Sequence, residues 1–159
     1  MILPVQPVFL GEPSIDNYTG REDLMNSVFN YIIEEQLIRL NDILAKYPGT
    51  KDRLREFLYL DIESGSQYMV FCQLRKTKYV EFEEENENFK ELYAIYMALF
   101  KQPIENGQIR KELSASWLET FYMLMVETSL RSMEEGEDKE ECFQMAWSCF
   151  WNGIKSDSK

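Results

Sequence analysis

The sequence predicts an all-α fold, a helical bundle. Three observations carry this. Apolar residues return with the 3.6-residue period over several long runs. Proline, glycine and asparagine turn signals separate those runs. The best alternating stretch, Val80–Glu84, keeps the strand period for only a few residues.

In chain order, residues 1–17 hold Pro4, Pro7 and Pro13 and no Lys or Arg, which reads as an extended arm. Thr19-Gly20-Arg21-Glu22 fits a capping box opening a long helix. Leu24, Val28, Phe29, Ile32, Ile33, Leu37, Leu40 and Leu44 keep its apolar face, and Pro48-Gly49 stops it after Tyr47. Thr50 is the expected cap of a second helix with Leu54, Phe57, Leu58 and Ile62 inside. Gly65 breaks it, and Tyr68–Leu74 forms a short third helix. A basic linker, Arg75–Tyr79, precedes the acidic run Glu81–Glu87, which suits a solvated helix N-terminus. The fourth helix carries Phe89, Tyr93, Tyr96 and Phe100 on one stripe to about Lys101, ending at Gln102-Pro103. Asn106-Gly107 is a turn.

The last two helices form a hairpin. The first starts near Ser114 and carries Trp117, Leu118, Phe121, Tyr122, Met125, Val126, Leu130 and Met133. The second opens on Asp138-x-x-Glu141, and Gln144, Ser148 and Asn152 confine its polar side to a narrow stripe. Phe143, Trp147, Phe150 and Trp151 spread over about 100°, more arc than one core covers. A second copy of the hairpin is the expected cover, giving a homodimer. Its seam is expected at Leu130, Cys142, Ala146, Trp147, Cys149, Phe150 and Gly153, with Ala146 and Gly153 small enough for close approach.

A chain of 159 residues fits one domain, here residues 18–154, followed by a polar, frayed tail at 155–159. The net charge of −11 argues against nucleic-acid binding by this chain, which needs a clustered basic face. Three cysteines with no CxxC fit a reducing cytoplasm; Cys142 and Cys149 read as small buried apolar groups. The first ten residues lack a basic n-region, and no apolar run is long enough for a membrane span. Histidine is absent, which removes His-based catalysis and helical-bundle metal sets that need it. No glycine-rich phosphate loop or calcium loop is present, so no cofactor or metal is expected. The acidic residues read as helix-end and wet-face groups, and an enzyme is not expected. The remaining signal is aromatic. Tyr68, Phe89, Tyr93, Tyr96, Trp117, Phe121 and Met125 fit the lining of an apolar cavity. Such a stripe also serves as plain core.

Three segments, in order, resemble the C-terminal ligand-binding and dimerisation domain of TetR-family transcriptional regulators. Tyr18 to Leu24 is similar to the family's Tyr-Phe-x-x-Lys/Arg-Glu-x-Leu signature before a long helix. Tyr47 to Leu54 is similar to the turn before the family's fifth helix. Asn106 to Leu113, with the later Asn152-Gly153-Ile154, is similar to the Gly-x-Ile/Phe-Arg-x-Asp-Leu run and the Gly-Ile ending of the last two helices. The resemblance covers Tyr18 to Ile154. It implies that the last two helices form a four-helix bundle across a dimer, and that the domain binds a small, mainly apolar ligand. The family's DNA-binding unit lies upstream of the tyrosine. The 17 residues preceding Tyr18 lack the basic groups such a unit needs. The expectation is therefore a regulatory domain without its own DNA-binding unit. The alternative is a ligand-free helical protein that pairs with a full-length relative.

Overall fold

The computed structural model describes residues 19–77 and 85–157. The described residues form six helices, α1 (Arg21–Lys46), α2 (Thr50–Glu63), α3 (Gly65–Arg75), α4 (Glu87–Glu105), α5 (Ala115–Glu134) and α6 (Lys139–Ile154). The fold is all-α, with one isolated bridge, Ile109 to Lys155, among the described residues. The expected arm and the centre of the acidic run lie outside them. No helix among them is long and apolar enough to cross a membrane.

The α2 helix is the centre of the packing and touches all five others. Its sequence explains why. Leu54, Phe57, Leu58, Leu60 and Ile62 are all buried, so apolar groups point in nearly every direction from the axis. Around it, α1 contributes Phe29, Ile33 and Leu40, α4 contributes Leu99 and Phe100, and α5 contributes Leu118 and Val126.

The helix starts follow local chemistry. Asn86 accepts from the Phe89 amide at 2.9 Å, Ser114 from Trp117 at 3.1 Å and Asp138 from Glu141 at 3.1 Å. Two expected caps differ. Gly20 is the N-cap of α1, and Asp23 accepts from the Thr19 amide at 3.2 Å. Gly49 is the N-cap of α2, so Thr50 is already helical. Arg53 ties this corner: its Nε donates to the Tyr47 carbonyl and its Nη2 to that of Leu44, neutralising the C-terminal carbonyls of α1. The fourth helix runs one turn past its expected end, with Pro103 buried inside it and Asn106 donating to Gln102 at 3.0 Å. The third is longer than expected at both ends.

Residues 155–157 are not frayed at their start. The Ser156 amide donates to Gln108 and its hydroxyl to Gly107, while Arg110 donates to the last-turn carbonyl of Ile154. These bonds satisfy backbone groups that the end of α6 would otherwise leave open.

The broad apolar surface of α6 is largely covered within the chain. On one side Phe143 meets Tyr59 of α2 edge-on at 5.0 Å, and Lys51 of α2 lies 5.2 Å above the Trp151 ring. On the other, Phe150 packs on Phe121 and Tyr122 of α5. Leu130, Cys142, Ala146 and Phe150 are buried within the chain, and Cys142 and Ala146 also line the outer groove between α5 and α6. Trp147 is half-buried and stacked on Trp151. Of the expected seam, Cys149 and Gly153 are exposed. Cys149 thus departs from the burial expected of it.

The α5–α6 turn depends on Gly136. Its φ is +102°, its amide donates to Met133, and the Glu137 amide donates to Ser132. This paired pattern needs a left-handed residue after the helix. Gly136→Ala is expected to lower unfolding free energy by about 1–2 kcal/mol through that conformation alone, measured by urea denaturation with an unchanged m-value.

A candidate ligand cavity around Asp61

Asp61 sits on the last turn of α2, fully buried. Tyr122 of α5 donates its hydroxyl to Oδ2 at 2.5 Å. Tyr96 of α4 donates to the same carboxylate, 2.9 Å from Oδ2 and 3.1 Å from Oδ1. Three helices thus converge on one carboxyl group. No cation pairs with Asp61 among the described residues. Burial pushes its pKa up to about 7, and the Tyr122 and Tyr96 bonds pull it back towards the ordinary range. Burial likewise pushes the Tyr96 and Tyr122 hydroxyls well above theirs, with the Asp61 charge adding to it. Both tyrosines therefore stay protonated donors.

Beside this group lies a cavity of about 60 Å³. At roughly 10–15 Å³ per water-sized group, it holds about four to six such groups. Phe71, Phe89 and Tyr93 form one wall as a run of near-parallel rings, Phe71 to Phe89 at 6.2 Å and Phe89 to Tyr93 at 6.2 Å. Tyr68 and Cys72 of α3 add a second side. Gln36 of α1 also lines it, only 6% exposed, and its Oε1 has no hydrogen-bond partner. An open acceptor at that depth costs on the order of 1–3 kcal/mol. Arg75 and Glu119, both half-buried, are the remaining charged groups of the lining.

Four of the expected lining residues, Tyr68, Phe89, Tyr93 and Tyr96, meet at this cavity. Trp117, Phe121 and Met125 do not. They lie one helical stripe away on α5, about 100° round from Tyr122 for Phe121. Trp117 packs on Phe121, and Phe121 on Phe150, while Met125 lines an outer groove between α5 and α6. The stripe of α4 therefore faces Tyr122, not Trp117 and Phe121.

The two polar groups at the centre were not anticipated, and Asp61 corrects the reading that acidic residues keep to helix ends and wet faces. A signal existed for both. Asp61 follows Leu54 by seven, Phe57 by four and Leu58 by three, so it holds a core position. Gln36 likewise follows Phe29 by seven, Ile32 by four and Ile33 by three.

Comparison with protein-family models, curated proteins and solved structures finds no match to this chain.

A carboxyl group whose pKa rises from 3.8 to about 7 on folding holds its proton more tightly in the native chain. Its contribution to stability is full below pH 3.8 and is lost as pH rises through about 7. The total is on the order of 4 kcal/mol. Asp61→Asn, which cannot ionise, is expected to flatten the pH dependence of unfolding free energy between pH 4 and 7 (about the interval of the shift). Equal slopes in the two proteins would contradict the buried, unpaired state of Asp61.

Proposed function

We propose that the chain is the sensing and pairing domain of a TetR-like transcriptional regulator, taking a small ligand between α1, α3, α4 and α5 and pairing with a second copy through the outer face of the α5–α6 hairpin. The observation that carries this reading is the cavity with its buried carboxylate and its unpartnered amide oxygen. A packed core has few such spaces and few such open acceptors, and here the two coincide. It favours a ligand-taking domain over a ligand-free helical pairing protein.

The α5 helix supports the coupling of the two activities. One face gives Glu119, Tyr122 and Met123 to the cavity. The opposite side gives Met125, Thr128 and Ser132 to the outer groove, beside Met145 and Cys149 of α6. Leu124 is 53% exposed and Met145 65%. These two and Trp117 leave a large apolar area on one side of the hairpin, the kind of surface that a partner covers. A ligand that shifts α5 would change both faces at once, which is how a binding event biases the geometry of a dimer.

The pairing is tested by mass in solution. The wild-type chain is expected to run as a dimer at micromolar concentration, and the double variant Leu124→Glu with Met145→Glu as a folded monomer. A wild-type monomer at that concentration would remove pairing from this reading.

A further inference from the structure

We infer that the cavity takes a small organic ammonium ion, a compact amine whose N–H groups reach Gln36 Oε1 and the Asp61 carboxylate while its body lies on the wall of aromatic rings. The inference rests on the cavity being a ligand site and adds the chemical class of the ligand.

The hydrogen-bonding inventory points one way. Gln36 Oε1 is buried and open, and it can only accept. Tyr96 and Tyr122 spend their hydroxyl hydrogens on Asp61, so their oxygens also have only acceptor capacity left. The carboxylate has sites beyond the two that the tyrosines fill. The Gln36 oxygen and the Asp61–Tyr96–Tyr122 cluster therefore ask for a donor. A ligand carboxylate or carbonyl would set acceptor against acceptor there. An alcohol brings a single donor. A primary ammonium brings three, and a charge that matches.

The charges agree with this count. Arg75 and Glu119 bring one charge of each sign to the lining. Ionised Asp61 adds one more negative charge to the site. The ring wall has the matching quality. The Arg75 guanidinium already lies 5.3 Å from the Phe89 centroid and 5.9 Å from that of Phe71, so these faces hold a cation in this structure. Room for only about four to six heavy groups limits the ligand to a short amine.

The probes are isobutylammonium, isobutanol and isobutyrate, which share a body and differ in charge and donor count. Each is titrated into the full chain, and backbone and side-chain amide shifts are followed by NMR. Isobutylammonium is expected to bind at least about tenfold more tightly than the other two, with the largest shifts at Gln36, Tyr96 and Tyr122. Asp61→Asn is expected to abolish that preference. Gln36→Met, which leaves the carboxylate untouched, is expected to weaken the amine about tenfold and to spare isobutanol. Isobutanol or isobutyrate binding as tightly as the amine would overturn the ammonium assignment while keeping the cavity as a ligand site. So would an amine preference that survives both variants. No shifts at the cavity with any of the three probes would overturn the assignment and the ligand-taking role together.

Discussion

The structure depends on one buried carboxyl group and the two phenols that hold it. Asp61 lies on the helix that touches every other, and a lone carboxylate there would be strongly destabilising. Tyr96 and Tyr122 reduce that cost by donating from two further helices, 35 and 61 residues away in sequence. The bonds fix the rotation of α4 and α5 about their axes relative to α2, because a turn of either helix by one residue would carry its phenol about 100° away. Buried polar networks of this kind are sensitive to every member. The packing round the network is aromatic: Tyr122 meets Tyr96, Phe100 and Phe150 edge-on.

The same network separates two surfaces of α5. With Tyr122 turned inwards to Asp61, the neighbouring stripe of Trp117, Phe121 and Met125 is turned towards α6 and the outer groove. The exposed apolar side of the hairpin is thus a geometric consequence of satisfying Asp61. It is also smaller than the sequence of α6 alone implies, since α2 covers Phe143 and Trp151. Trp117 and Leu124 of α5 and Met145 of α6 remain exposed.

Most of the helical framework was legible in the sequence, because its signals are local. Ser114 and Asp138 cap the helices they precede, Gly107 takes a φ of +78° in the expected turn, and Pro48-Gly49 ends α1. Pro103 misled by one turn, since a proline removes one amide but does not always end a helix that the core holds. The site was half legible. Tyr68, Phe89, Tyr93 and Tyr96 follow from aromatic spacing, but Phe121 and Tyr122 are adjacent, and periodicity cannot say which of two aromatic stripes faces inwards. Asp61 and Gln36 were missed because residue type argued for the surface while position argued for the core. Only contacts from distant helices decide between those arguments.

The central claim is that Asp61 is a buried, uncompensated carboxyl group held by two tyrosines beside a ligand-sized space. Carbon-detected NMR of its side-chain carboxyl, followed against pH in the full chain, tests this most directly. The account predicts a titration midpoint near 7. A midpoint at the ordinary 3.8 of an aspartate in water would show a solvated carboxylate and contradict it.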